Sequence, residues 1–163
     1  MKLAFLVIDM QAVHFEGRVS KQTIEEACEY INYVADLVRS NGHLVIHVKD
    51  IEGMDESNKD SFEVIPQIVR ETEDLWVTKQ FSNAFWQTDL EQILKAHGVE
   101  FVILAGFAAE QCVLFTYNGA SERGFTPVML QGGIVSANPD VIASTYKHRN
   151  LISHPVVKCI VHR

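Results

Sequence analysis

Strand-length runs of apolar residues alternate with stretches of helical periodicity along this chain, and that alternation restricts the possible folds more than any other feature. Residues 3–8, Leu3-Ala4-Phe5-Leu6-Val7-Ile8, contain no polar residue, as expected of a strand covered on both faces. Similar runs recur at 43–48, 75–78, 100–105, 127–130 and 156–161, and these predict six strands. Between the first two, Ile24, Ala27, Cys28, Ile31, Val34, Ala35 and Val38 fall on one helical face behind Thr23 and Glu26, which have capping-box spacing, and Asn41-Gly42 supplies the stop. Thr88 and Glu91 repeat the capping-box spacing before Leu90, Ile93 and Leu94, and Gly98 closes that helix. A further helix begins near Ala109 and stops at Gly124, and Asn138-Pro139 reads as an N-cap with proline at the first helical position. Short strand–helix spacings imply a parallel sheet with helices on both faces. The expectation is therefore an α/β fold: a three-layer α/β/α sandwich with a six-stranded, mainly parallel, Rossmann-like sheet.

With 163 residues and no linker, repeat or low-complexity tract, residues 1–163 read as one domain. Residues 50–74 are acidic, contain Pro66 and show little periodicity, so they read as an excursion on the rim of the sheet with room for substrate contacts. A formal net charge of −7 argues against nucleic acid or an anionic membrane as partner. No apolar segment approaches the length of a membrane span. Asp9 interrupts the N-terminal apolar run before any small-residue cleavage site, so that run reads as a strand and not a secretory leader. Cys28, Cys112 and Cys159 are distant and odd in number, which suggests a reducing, cytoplasmic setting without a disulfide framework.

In sheets of this type ligands bind beyond the carboxyl ends of the strands, near the place where strand order reverses. Asp9 ends the first strand and Lys79 the third, while Cys112 stands in Gly106-Phe107-Ala108-Ala109-Glu110-Gln111-Cys112-Val113, where the fourth strand turns into a helix. Each has an ordinary explanation: a turn cap, a solvated charge, a buried small thiol. Together they supply a carboxylate, a cation and a nucleophile, a complete set for covalent catalysis. The helix start also predicts a lowered thiol pKa at Cys112, whereas Cys28 sits on the core stripe. A receiver-like domain would need an aspartate where Lys79 stands. Neither GxGxxG after the first strand nor GxxxxGK[ST] is present, so a nucleotide-binding fold has no support.

These stretches carry a resemblance. Leu6-Val7-Ile8-Asp9-Met10-Gln11 with Phe15 downstream, Lys79 followed by Asn83-Ala84-Phe85 and Thr88-Asp89-Leu90, and Gly106 through Val113 together resemble the isochorismatase-like cysteine hydrolases from Leu3 to about Ser136. Phe107, Ala109, Asn83 and Gln131-Gly132-Gly133 depart from the family pattern. The resemblance implies the isochorismatase-like hydrolase fold and a catalytic triad of Asp9, Lys79 and Cys112. It further implies an oxyanion hole made by the backbone N–H groups of Ala108 and Cys112, with a cis peptide between Phe107 and Ala108. A cysteine at position 112 points to hydrolysis of an amide-type C–N bond in a small molecule through a thioester. The alternative is a non-catalytic or thiol-sensing relative that keeps the fold and assembles as an oligomer.

Metal-binding members of the family carry Asp-x-His and a further histidine after the second strand. Here that place reads Asp50-Ile51-Glu52-Gly53, with no histidine before His97. No metal and no other cofactor is therefore expected. Phe15, Phe81, Trp86 and Phe107 neighbour the reactive positions and are the pocket candidates. Of the adjacent pair Phe85-Trp86, one side chain is expected to face away from the core. The resemblance also implies a homo-oligomer, a dimer or larger.

Overall fold

The computed structural model describes residues 1–162. Strands β1 (Lys2–Ile8), β2 (Leu44–Asp50), β3 (Leu75–Lys79), β4 (Val99–Phe107), β5 (Thr126–Val135) and β6 (Leu151–Ile152) form one sheet in the order β3-β2-β1-β4-β5-β6. Every neighbouring pair is parallel. The chain steps outward from β1 to β3, then returns to the other side of β1 as β4. Strand order thus reverses between β1 and β4, which opens a crevice at their carboxyl ends.

The helices are α1 (Ala12–Phe15), α2 (Lys21–Ser40), α3 (Leu90–Ala96), α4 (Cys112–Glu122), α5 (Pro139–His148) and α6 (His154–Ile160). Successive strand side chains point to opposite faces, so β1 feeds two cores. Leu3, Phe5 and Val7 pack with Ala27, Ile31, Val34 and Val38 of α2 and Val157 of α6. Ala4, Leu6 and Ile8 pack with Leu90 and Leu94 of α3 and Val113 and Ala120 of α4. This double burial explains why β1 carries no polar residue in its interior. The result is the three-layer α/β fold expected from the alternation.

Several expectations need correction. Residues 156–161 are not a strand: β6 lies earlier, at Leu151–Ile152, and α6 occupies most of the predicted run. Pro155 stands in the first turn of α6, and helical spacing buries Val157 and Val161 on one side while Val156 is exposed. Ser20, not Thr23, caps α2, and its hydroxyl accepts the Thr23 N–H at 3.1 Å. Strand β5 runs on to Val135 through an irregularity, with Leu104 and Gly106 of β4 facing Met129 and Ile134. The 50–74 excursion begins one residue later than expected, since Asp50 ends β2, and it is also more structural than expected. Phe62, Val64, Ile65 and Ile68 are buried, and Val64 bridges Gln11 just beyond β1.

Candidate active site

Asp9 leaves β1 in the left-handed region (φ 50°), a conformation aspartate tolerates better than most residues. Its N–H donates to the Val48 carbonyl at 2.9 Å, which ties the turn to β2. On the other side Gly106 has φ 113°, and a Cβ there would lie 2.0 Å from the Ile8 oxygen. Glycine is thus required for β4 to pass so close to the end of β1. Lys79 ends β3, two strands from β1, a gap of roughly 10 Å at the usual strand spacing. The lysine stem spans β2 and delivers its ammonium to Asp9. Cys112 is the first residue of α4 and closes the group from the β4 side.

Lys79 Nζ lies 2.7 Å from Asp9 Oδ2, 3.4 Å from Cys112 Sγ and 3.5 Å from Asp50 Oδ2. Asp9 is fully buried, and the side chains that donate to its carboxylate are the Lys79 ammonium and the Cys112 thiol. Burial dominates and raises the Asp9 carboxyl to about 6, with Lys79 pulling it down and Asp50 adding to the rise. Burial pulls the Lys79 ammonium the other way, but Asp9, Cys112 and Asp50 outweigh it and hold Lys79 above its ordinary range. The expected low-pKa thiol is corrected. Burial, then the neighbouring Asp9 carboxylate, push Cys112 up to about 12 despite Lys79. At neutral pH the resting group is a carboxylate, an ammonium and a neutral thiol. The helix start does not ionise this sulfur by itself.

Beside them is a cleft of about 300 Å³ lined by Asp9, Phe107, Ala108 and Cys112, among others. The Phe107–Ala108 peptide is cis. Among the described residues, neither the Ala108 nor the Cys112 N–H donates to a protein acceptor, whereas those of Ala109 and Val113 are used by Val135 and Ala108 carbonyls. Two unclaimed N–H groups on residues that line the same cleft as the thiol can receive an anionic oxygen.

The aromatic candidates separate. Phe107 lines the cleft, with the His14 ring stacked on it at 5.7 Å. Phe15 is buried behind it, edge-on at 5.4 Å, and supports that wall from the core. Phe81 and Trp86 do not reach the Cys112 cleft; they border a separate depression with Ile51, Thr78 and Gln87. Of the adjacent pair, Phe85 is buried and Trp86 is 53% exposed. Asn83, which departs from the family pattern, packs against Gly119 of α4, where a Cβ would lie 2.5 Å from its Oδ1. Ala109 is wholly buried, and Gln131 is exposed.

Other residues at the cleft escaped the sequence reading. Asp50 ends β2, so the strand-end argument that singled out Asp9 and Lys79 applied to it equally. Gln11 fixes it: the amide nitrogen donates to the Asp50 and Phe62 carbonyls at 2.8 and 2.6 Å, and the amide oxygen accepts the Asp50 N–H at 2.8 Å. His14 arrives from α1, upstream of β2 and of the place after it where metal-binding members of the family carry their histidines. Its imidazole is buried enough that its pKa is lowered, and it is neutral at pH 7. Asp9, His14 and Asp50 each offer a ligand atom within 4.8 Å of the others. The Lys79 ammonium already supplies positive charge to both carboxylates, so the donor set fits this ion-paired arrangement better than a divalent cation. Arg18, Glu52, Ser82, Glu110 and Gln111 complete the polar lining.

Residues 3–152 match the isochorismatase domain family model. The isochorismatase family protein YddQ of Bacillus subtilis is 28% identical over 131 residues, covering 77% of this chain and 73% of that protein. An isochorismatase family protein from Desulfovibrio vulgaris superposes with a TM-score of 0.86 at 16% identity, over 99% of both chains. N-carbamoylsarcosine amidase from Thermoplasma acidophilum gives 0.79 at 24% identity, over 94% of this chain and 95% of that one. At these identities the two structural matches show a shared fold.

Proposed function

Because the chain belongs to the isochorismatase family of hydrolases, we propose that it cleaves the C–N bond of a small amide through a thioester on Cys112. The observation that carries this reading is Lys79 Nζ, 2.7 Å from a buried carboxylate and 3.4 Å from a thiol, at the reversal point of the sheet. Asp9 takes the thiol proton as Sγ attacks the carbonyl carbon. Its raised pKa, about 6, suits a group that must be ionised at rest and able to return a proton to the leaving amine. Lys79 holds Asp9 in place and offsets the charge that develops on sulfur. The carbonyl oxygen, becoming anionic, accepts from the Ala108 and Cys112 N–H groups, help worth about 10²–10³ in rate per donor in comparable sites. Attack by water then releases the acid and restores the thiol.

The thiol of Cys112, set beside Lys79 and Asp9, favours amide hydrolysis over other chemistry of the family. A thiol-sensing relative finds less support, because two of the departures that suggested it, Ala109 and Gln131, do not line the cleft. With Lys79 as the resident cation, catalysis proceeds without metal, and dialysis against EDTA leaves the rate unchanged. Residues 1–163 act as one domain, and the half-exposed Trp86 and Phe81 suit contact with a second copy of the chain; sedimentation equilibrium reads that state. A screen of small amides for ammonia release, with Cys112→Ala as blank, tests the main reading. Release abolished by the substitution supports it, and release that persists in Cys112→Ala sinks it.

A further inference from the structure

A second cavity, of about 460 Å³, lies at the carboxyl end of β5 and shares Arg18 and Ala137 with the Cys112 cleft. Ile134 and Val135, both buried, form its floor, with Val19 on the α2 side and Ile142 on the α5 side. The groove exists because the last strand is short. β5 runs for ten residues, but β6 pairs with it only at Met129 and Leu130. Among the described residues, no strand covers the outer edge of β5 beyond that point. Helix α5 does not fill the gap either, since none of its residues is fully buried.

The hydroxyls of this groove are already committed within the protein. Those of Ser20 and Thr23 bond to each other at 2.8 Å. The Ser136 hydroxyl donates to Glu110 Oε1 at 3.1 Å and accepts the Asn138 N–H at 3.0 Å. Arg18 is exposed where the two cavities meet, and an arginine stem there can lie along an apolar chain while its charge stays in water. The groove therefore offers a ligand apolar surface and shape. Strand order gives the direction of approach. Asp9 follows β1, Cys112 follows β4 and the groove lies beyond β5, in the order β1-β4-β5 across the sheet. An amide attacked by Sγ must turn its nitrogen toward Asp9 to collect the proton. Its acyl group then extends the opposite way, toward β5, one strand spacing of about 5 Å further along the sheet.

Resting on the reading of Cys112 as nucleophile, we propose that the acyl part of the substrate is an apolar chain or ring that passes Ala137 and seats in the groove at the end of β5, while the leaving amine is small and lies on the Asp9 side. Each methylene that enters the groove adds up to about fourfold to binding, so acyl length sets the preference among amides. Ala137 stands at the passage between the cavities and Ile142 walls the groove, which makes these two positions the ones that control that preference.

The test uses p-nitrophenyl acetate, butanoate and hexanoate with the full-length protein. In each case the bond from Sγ to the acyl carbon forms, the bond to nitrophenolate breaks and Asp9 takes the thiol proton. Acylation rates at Cys112, each referred to the rate of the same ester with N-acetylcysteinamide, are expected to rise about tenfold or more from acetate to hexanoate. In Ala137→Phe, which narrows the passage, and in Ile142→Asp, which charges the wall, the hexanoate-to-acetate ratio is expected to fall to that of the reference thiol. The ratio is read within each variant, so a loss of folded protein does not alter it. A second arm compares the isomers hexanamide and N-butylacetamide, with hexanamide expected to be the better substrate. Hexanoate reacting no faster than acetate overturns the proposal, and so does a preference that survives both substitutions. A preference for N-butylacetamide likewise overturns it, by placing the apolar group on the leaving amine. Should neither amide turn over, the ester ratios alone decide. All of these results leave Cys112 as nucleophile intact, whereas the absence of any acyl group on Cys112 removes that reading and this proposal together.

Discussion

Two buried carboxylates, each facing a cation, lie at different places on this sheet and behave in opposite ways. Asp74, just before β3, takes Arg39 Nε on Oδ1 at 2.7 Å, while Oδ2 takes Arg39 Nη2 at 3.0 Å, His47 Nε2 at 2.9 Å and the Glu71 N–H at 3.0 Å. Burial is the largest single influence on Asp74 and acts to raise its pKa, but those donors together hold it below the ordinary carboxylate range. Asp9 lies deeper in the protein and has fewer donors, the Lys79 ammonium and the Cys112 thiol, and its carboxyl rises to about 6. Depth of burial and the number of donors separate them. A carboxylate with every lone pair satisfied fixes the edge of the sheet, and one left short can exchange a proton.

The comparison yields graded predictions. Cys112→Ala is expected to abolish amide hydrolysis, a loss of at least about a thousandfold, and to leave the thermal midpoint within a few degrees. Lys79→Met removes the single charge that holds Asp9 ionised, so kcat/KM at pH 7 falls by about a hundredfold or more and the acidic limb of the pH profile moves upward. Asp74→Ala does the reverse: it leaves Arg39 and His47 without their acid and costs about 3–5 kcal/mol in urea unfolding, with kcat/KM per folded molecule within about threefold. A stable but inactive Asp74→Ala would break the distinction between the two sites.

Smaller effects come from pH. Asp9 must be ionised to accept a proton, and its pKa is raised, so kcat/KM should climb as pH rises through about 6 and not near 4. His47 is buried and its pKa is lowered, chiefly by burial. The unfolded chain therefore binds that proton more readily, and stability is lost as pH falls through the ordinary histidine range toward the lowered folded value. His47→Gln should lose less stability than the wild type between pH 7 and 5, measured by urea titration at each pH. Equal losses would mean that His47 does not carry this dependence.

Much of this arrangement is legible in the sequence because strand ends are local features. Unbroken apolar runs mark β1 and β4, and whatever polar residue ends them falls at the crevice. That logic locates Asp9, Lys79 and Cys112, and it extends to Asp50. Elements decided by distant packing are less legible. The run 156–161 satisfies a strand as well as a helix until α2 buries Val157 and Val161. His14 reaches the cleft from the short helix α1, and Glu110 is held there by Ser136, just beyond β5. The thiol's raised pKa is likewise invisible locally, because burial and Asp9 set it against the helix start.

Acylation of Cys112 tests the central claim most directly. Mixed with p-nitrophenyl acetate at neutral pH, the wild-type protein should release p-nitrophenolate in a burst of about one equivalent per chain, with the acetyl group on the Cys112 peptide by mass spectrometry and the burst strongly slowed in Asp9→Asn. An acetyl group on Cys28 or Cys159 instead, or a burst at Cys112 equally fast without the Asp9 carboxylate, would contradict the account.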